Sequence, residues 1–210
     1  VGTDDGIGII YCSDNVLGNC EATLPIIQQD QFAGFLFKGE QVQSMAIDGA
    51  NQKWIGTQNG VWLISADAKQ IIHHFTVNNS PLLSNDIKKI AVDPTTGEVY
   101  FATFNGLCSY RSTATEASED KSNILVFPNP VPPQYNGQIA IRGLAENTLI
   151  KITELNGRLV YQTRSLGGQA VWNGRDYVGN KIASGVYLVL ARDGKGMENI
   201  ITKIVITSGR

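Results

Sequence analysis

Histidine is the side chain that most often transfers protons near neutral pH, and this chain has two, His73 and His74. Adjacent side chains of a β-strand point to opposite faces, so these two imidazoles cannot share one metal ion or one proton relay. No Gly-x-Ser-x-Gly nucleophile motif occurs. Gly194-Lys195-Gly196 lacks the glycine spacing of a phosphate-binding loop and predicts a hairpin turn. We therefore predict that the protein is not an enzyme and has no catalytic residues.

The cysteines and carboxylates do not predict a metal site. Zinc sites use Cys or Cys and His in pairs at short spacings, a pattern that Cys12, Cys20 and Cys108 do not show. Calcium loops alternate their acidic ligands along the chain, whereas Asp4-Asp5 is typical of a turn. In an exported protein Cys12 and Cys20 could bridge a small loop as a disulfide, the alternative being two free thiols. We expect no metal and no cofactor.

The net charge of −2 conceals an asymmetry along the chain. Residues 1–123 contain 7 Lys and Arg against 14 Asp and Glu, whereas residues 124–210 contain 10 against 5. This bipolar pattern indicates either an anionic partner for the C-terminal part or ordinary surface charge. Nucleic acid is not the expected partner, because the cations are spread over many predicted strands without a helical or aromatic reading platform.

A seven-residue phrase occurs three times, at Val1–Ile7, Ile55–Val61 and Phe101–Leu107, with spacings of 54 and 46 residues. Self-similarity at this period predicts a β-propeller, whose four-stranded blades have about 40 to 50 residues each. Three copies do not close a ring, and the first stands at the start of the chain. We therefore expect the C-terminal piece of a longer protein, with about three blades or part-blades whose exposed edges favour self-association.

Turn residues separate the strands within each copy. Asp5-Gly6, Asn59-Gly60 and Asn105-Gly106 are dipeptides that favour positive φ at both central positions of a type I′ hairpin turn. The Gly-Thr or Ala-Thr that precedes each turn keeps one side small, where neighbouring blades would press together. The phrase therefore predicts a tight hairpin in every copy.

The composition divides the chain into two domains. Residues 1–112 are the predicted blades, and the polar, acidic residues 113–123 are a predicted linker. In residues 124–210, seven short alternating segments predict an antiparallel Ig-like β-sandwich, which makes the fold class all-β. The predicted strands of this domain are Ile124–Phe127, Gln138–Arg142, Leu149–Thr153, Leu159–Thr163, Ala170–Trp172, Val186–Ala191 and Ile200–Ile206.

The first half resembles the two-component-regulator propeller repeats of Bacteroidetes. Residues 54–61, Trp-Ile-Gly-Thr-Gln-Asn-Gly-Val, match the pattern with which these blades end. Residues 79–87, Asn-Ser-Pro-Leu-Leu-Ser-Asn-Asp-Ile, resemble the connector between blades. The resemblance covers about residues 1–111.

The second half resembles the C-terminal sorting-type sandwich of the type IX secretion system. Four motifs occur in the expected order: Phe-Pro-Asn-Pro-Val at 127–131, Ile-Thr-Glu-Leu-Asn-Gly-Arg-Leu-Val at 152–160, Ser-Gly-Val-Tyr-Leu-Val at 184–189 and Thr-Lys-Ile-Val-Ile at 202–206. Residues 170–176, Ala-Val-Trp-Asn-Gly-Arg-Asp, depart from ordinary cargo domains toward a Trp-Asn-Gly variant. Trp172 in this segment is expected in the core, with stacking on a sugar as the alternative.

A propeller followed by such a sandwich resembles the PorZ-like surface components of the type IX attachment complex. The resemblance implies a non-enzymatic binding and scaffold protein, exported to the periplasm or the outer membrane surface. Its implied partners are other type IX surface proteins and anionic lipopolysaccharide, bound by the C-terminal domain. The basic residues nearest the family motifs are candidates for the anion site or are solvated strand-edge charges: Arg158, Arg175, Lys181, Arg192 and Lys203.

Two other functions share these motifs. The extracytoplasmic sensors of hybrid two-component histidine kinases carry the same propeller repeats. An exported cargo protein would carry a cleavable sorting domain and would be cut between Thr113 and Asn123. The sorting-type motifs favour a secretion role over the sensor.

Overall fold

The computed structural model describes residues 1–12, 18, 20–29, 32–118, 123–192 and 198–208. The chain divides into two compact units, Val1–Ser112 and Thr113–Arg210. The described residues form strands, turns and loops without a helix, so the predicted all-β class is confirmed. The predicted turn at Gly194-Lys195-Gly196 and residues 119–122 of the predicted linker lie outside the described residues.

The described residues of the first unit form four antiparallel sheets. Their strand orders are β1-β2, β3-β4, β5-β6-β7-β8 and β11-β10-β9. The strands are β1 (Gly2–Thr3), β2 (Gly6–Ile7), β3 (Ile26–Gln29), β4 (Phe32–Phe35), β5 (Ser44–Ile47), β6 (Lys53–Thr57), β7 (Gly60–Ile64), β8 (Ile71–Phe75), β9 (Ile87–Asp93), β10 (Glu98–Thr103) and β11 (Gly106–Arg111).

In the four-stranded sheet β5–β8, the two central strands, β6 and β7, are buried on both faces. Trp54 and Leu63, paired across β6 and β7, lie in a core shared with β9 and β10. Ile55 and Ile64, the next residues along the same strands, lie in a second core with residues of the first 37 positions. Because side chains alternate along a strand, near-continuous apolar sequence in β6 and β7 supplies both cores.

Close approach of the β5–β8 and β9–β11 sheets depends on Gly56. A Cβ atom at this position would lie 2.6 Å from Cγ2 of Ile87, which is fully buried. Beside this contact, the backbone N–H of Ile90 donates a 2.9 Å hydrogen bond to the Ser44 hydroxyl across the two sheets. The glycine of the repeated phrase therefore sets the distance between these sheets.

The threonine of the phrase organises the turn in all three copies. The Thr57 hydroxyl donates to the Gly60 carbonyl and accepts the N–H of Asn59, and Thr3 and Thr103 make the same pair of bonds. The predicted type I′ turn is wrong. Thr57 pairs with Gly60, so residues 58 and 59 form the turn, and positive φ occurs at Gly60 (118°) and not at Asn59. The hydrogen bonds of the threonine hydroxyl stabilise the two turn residues with negative φ. Positive φ occurs only at the glycine that follows them.

Asp48 is a buried carboxylate that connects the β5–β6 turn to the core. It accepts hydrogen bonds from the N–H groups of Ala50 and Gln52, both at 3.0 Å, and from the Trp54 indole at 3.1 Å. Burial raises the pKa of Asp48 above its usual range, while these hydrogen bonds act in the opposite direction.

In the part of the second unit that the structure describes, seven strands form a sheet of three, ordered β12-β13-β16, and a sheet of four, ordered β15-β14-β17-β18. One core is shared by both sheets, with Ile141 and Trp172 contributed by the first and Ile152 and Val189 by the second. The strands are β12 (Leu125–Phe127), β13 (Ile139–Arg142), β14 (Leu149–Glu154), β15 (Leu159–Arg164), β16 (Gln169–Trp172), β17 (Gly185–Arg192) and β18 (Glu198–Ile206).

Residues 113–118, which the sequence predicts as linker, pack on the second unit. We call this segment the strap. Ala114 is fully buried, the Thr115 carbonyl accepts the Gly168 N–H at 2.8 Å, and the Ser118 N–H donates to the Leu144 carbonyl at 2.9 Å. A Cβ atom on Gly168 would lie 2.0 Å from the Glu116 carbonyl oxygen. The strap is therefore part of the folded unit and needs glycine beneath it.

The Gly56→Ala substitution tests the sheet contact. Its methyl group meets the branched, fully buried Ile87, so overpacking is expected to lower the free energy of unfolding by about 1 to 3 kcal/mol. Urea denaturation followed by tryptophan fluorescence measures this change. The matched control is Gly34→Ala, where a Cβ meets nothing within 4 Å and a change within about 0.5 kcal/mol is expected. Equal stability of the two variants would contradict the role of Gly56.

The raised pKa of Asp48 predicts the pH dependence of an Asp48→Asn variant. Because the folded-state pKa lies above the unfolded value, the native state takes up the proton more readily, and the cost of the buried charge disappears as pH falls through the folded pKa. The free energy of unfolding of the wild type, relative to Asp48→Asn, should therefore rise between about pH 7 and about pH 4. Denaturation of both proteins across this range measures the difference, and a constant difference would contradict the burial effect.

Candidate functional site

Two concave sites lie at opposite ends of the four-stranded sheet of the second unit. One contains the start of β14, at Leu149, and the other contains its end, at Glu154. Five residue steps of an extended strand separate these ends by about 17 Å. One ligand group therefore cannot contact both sites.

The first site, which we call the arginine cavity, has a volume of about 430 Å³. Leu149 pairs with Arg164 on β15 and with Arg192 on β17, so the three side chains lie in one row on the outer face of the sheet. The β13–β14 loop forms the rest of the rim. The larger apolar residues of the lining are Ile124, Leu144, Leu149 and Ile201.

Polar groups around the arginine cavity favour a negatively charged oxygen ligand. The Arg164 guanidinium donates to the Asn147 carbonyl at 3.0 Å, which fixes its position at the rim. Asn147, with φ of 53°, turns the loop at this point, and Asn199 lines the opposite side. The carboxylate of Glu146 also lines the cavity. The lining contains two guanidinium groups and one carboxylate, and guanidinium forks match phosphate and carboxylate geometry.

The second site, which we call the tyrosine groove, has a volume of about 370 Å³. It lies between the β14–β15 turn and the loop of residues 176–183. Its charged residues are Glu154, Arg158, Asp176 and Lys181, and its aromatic residues are Tyr177 and Tyr187.

The charges of the tyrosine groove are compensated within the protein. Arg158 forms an ion pair with Glu154 through Nη2 and Oε1 and a 3.0 Å hydrogen bond from Nε to Oε2. This pairing lowers the pKa of Glu154 and raises that of Arg158. Backbone N–H groups at Asn180 and Val178 donate to Asp176 and lower its pKa. The groove is therefore close to electrically neutral.

Arg175 and Lys181 hold the loops behind this groove. The Lys181 ammonium donates to the Pro133 carbonyl at 2.8 Å and lies 3.4 Å from both the Tyr135 carbonyl and Asn136 Oδ1. Arg175 donates from Nη1 to the Gly179 carbonyl at 2.7 Å. Both cations therefore tie loop backbone together.

The structure does not bring the five predicted anion-site residues into one site. Arg158, Arg175 and Lys181 lie at the groove end of the unit, whereas Arg192 lies in the arginine cavity. Lys203 is exposed on the outer sheet face opposite Leu188. The sequence does not predict Arg164 as a site residue, because no family motif lies near it. Strand register alone places it in the same site as Arg192.

The structure also gives the positions of the tryptophan, cysteine and histidine residues that the sequence analysis considered. Trp172 is 1% exposed and donates from Nε1 to the Arg175 carbonyl, as expected for a core residue. Cys12 and Cys20 form a disulfide with Cα atoms 5.9 Å apart. His74 lies 2.9 Å from the Asn59 carbonyl through Nε2 and stacks on Trp62. Among the described residues, no group of three His, Cys, Asp or Glu is placed to hold a metal ion.

Within the described part of the chain, no helix has the length and apolar character that a membrane span requires.

Residues 125–207 match the family model of the secretion system C-terminal sorting domain. This match covers most of the second unit, including the tyrosine groove and, except for Ile124, the arginine cavity. No curated protein matches the chain.

Among solved structures, 99% of the chain is similar to PorZ of Porphyromonas gingivalis, with 33% identity and a TM-score of 0.63. PorZ is described as an essential bacterial surface component of the type-IX secretion system. The chain spans 28% of the length of PorZ. The extracellular domain of the putative one component system BT4673 from B. thetaiotaomicron matches over 99% of the chain and 29% of its own length, at 16% identity and a TM-score of 0.36. The latter score is too low to support an argument.

A Lys181→Ala variant tests whether this side chain holds the adjacent loop. Removing the ammonium leaves three oxygen acceptors of residues 133–136 without their donor, so the Tyr135 amide should exchange hydrogen faster. Hydrogen–deuterium exchange with mass spectrometry measures the change. Lys203→Ala is the matched control, because Lys203 is exposed and its carbonyl, which accepts a hydrogen bond from Asn129, is kept in the variant, so this loop should stay unchanged. The same exchange in both variants would show that Lys181 does not hold the loop.

Proposed function

We propose that this protein has a non-enzymatic binding and scaffold role in the type IX secretion system. The proposal is supported by the secretion system C-terminal sorting domain and by the similarity to PorZ along the length of the chain. The sorting domain indicates an exported protein, and we place it at the outer membrane surface. The proposed role is to bind anionic lipopolysaccharide through the second unit and to present it to other type IX surface proteins.

The arginine cavity is the observation that carries this proposal. It places Arg164 and Arg192 on either side of Leu149, in a unit whose sequence is rich in cations. Phosphate groups on a polysaccharide would accept forked hydrogen bonds from the two guanidinium groups. The apolar lining would contact the carbon skeleton of the sugar that carries the phosphate.

The architecture proposed for the two units agrees with this role. We propose that the first unit consists of about three C-terminal blades or part-blades of a β-propeller and that the second is an Ig-like β-sandwich. The sheets β5–β8 and β9–β11, packed face to face, support the first assignment. The three-stranded and four-stranded sheets around one core support the second. Exposed blade edges would provide surfaces for self-association or for other secretion proteins.

The match to the sorting domain also favours a second candidate, an exported cargo protein whose C-terminal domain is cleaved off. Cleavage within residues 113–118 would require the strap to leave the second unit, because Ala114 and Thr115 are buried there. A peptidase binds its substrate as an extended, accessible segment. The packed strap therefore opposes cleavage within residues 113–118.

Binding of the full chain to purified anionic lipopolysaccharide tests the proposed function. We expect saturable binding that weakens as NaCl rises from about 50 mM to about 500 mM, because salt screens charge interactions at the exposed rim. Surface plasmon resonance measures the affinity. The double variant Arg164→Ala/Arg192→Ala should bind at least about tenfold more weakly, since it loses two charge-assisted contacts.

The control variant, Lys69→Ala/Lys89→Ala, removes two exposed cations of the first unit and should retain wild-type affinity. Absence of binding by the wild type at low salt would reject the ligand. Equal weakening in both double variants would reject the arginine cavity as the site and indicate a general charge effect.

A further inference from the structure

We propose that the tyrosine groove is a second binding site, for an uncharged saccharide. This site is distinct from the arginine cavity, because the length of β14 separates them. The proposal depends on the geometry of the groove and not on the proposed binding of lipopolysaccharide.

The aromatic surface of the groove is held in place from the core. Trp172, 1% exposed, stacks on Tyr161 with ring centroids 6.3 Å apart and an interplanar angle of 24°. Tyr161 in turn contacts Tyr177, with centroids 5.7 Å apart at 34°. Tyr177 is 60% exposed. A surface tyrosine supported in this way offers a ring of fixed orientation, which costs little conformational entropy when a ligand packs on it.

Planar polar groups surround this ring. The Glu154 carboxylate and the Arg158 guanidinium, held against each other, lie in the wall of the groove with the carboxylate of Asp176. Such groups can donate to and accept from neighbouring hydroxyls, while the C–H face of a sugar ring packs on the tyrosine. An aromatic surface beside a few fixed polar groups is the usual composition of a small-ligand pocket.

The charge balance selects an uncharged ligand. The lining contains two carboxylates, Glu154 and Asp176, and two cations. Arg158 is paired with Glu154, and the Lys181 ammonium donates to the Pro133 carbonyl. An anionic ligand would have to displace Glu154 from Arg158, whereas a polyol needs only the remaining hydrogen-bonding capacity. The concave shape, of about 370 Å³, fits a sugar unit better than the flat contact of a protein surface.

Isothermal titration calorimetry of the full chain with three neutral probes, maltotetraose, mannotetraose and chitotetraose, tests this proposal. At least one is expected to bind, with an affinity that changes less than about twofold between about 50 mM and about 500 mM NaCl, because the ligand has no charge to screen. Tyr177→Ala should weaken that binding about tenfold or more, whereas Tyr177→Phe, which keeps the ring, should retain most of it.

Two control proteins separate this site from the rest of the molecule. Tyr100→Ala removes an exposed tyrosine of the first unit and should leave saccharide affinity unchanged. Arg164→Ala/Arg192→Ala should also bind the neutral probe with wild-type affinity. Saccharide binding can therefore be tested whether or not the protein binds lipopolysaccharide. Binding of none of the probes, or equal binding by wild type and Tyr177→Ala, would overturn the proposal. Retention of a protein partner by the wild type and not by Tyr177→Ala, without saccharide binding, would assign the groove to protein docking instead.

Discussion

Alternation of side chains along each β-strand is the constraint on which both units depend. A strand that buries one side chain points the next to the opposite face, so a sheet must be covered on every face that carries apolar residues. The two central strands of the β5–β8 sheet have apolar residues on both faces and are covered on both. In the second unit, the inner faces of two sheets cover each other. The outer faces are left for polar and charged residues, and the arginine row lies on one of them.

Close contact between covered faces restricts the residues at the contact. Gly56 and Gly168 lie where another segment passes too near for a Cβ atom, in one case a neighbouring sheet and in the other the strap. The two glycines have the same steric role in different units. Close packing of the elements therefore depends on the lack of a side chain at these two positions, as well as on apolar side chains elsewhere.

The two concave sites differ in electrostatics because strand pairing distributes the same residue types differently. At one end of the sheet, register places two arginines on either side of a leucine. At the other end, an arginine follows a glutamate by four residues across a hairpin turn, and the two neutralise each other. A unit rich in cations thus has one site suited to an anion and one suited to an uncharged ligand.

The sequence by itself determined the all-β class, the positions of the strands in the second unit and the resemblance to secretion proteins, because strand periodicity and turn chemistry are local properties. It also identified the repeated glycine, although it assigned the wrong turn type. Only the tertiary structure decided that Arg164 joins Arg192 and that Arg158 and Lys181 belong elsewhere. Register shifts between Ile152 and Thr153, and between Val189 and Leu190, set which residues are opposite each other. Such a bulge depends on packing between strands that are distant in sequence, so no local pattern reveals it.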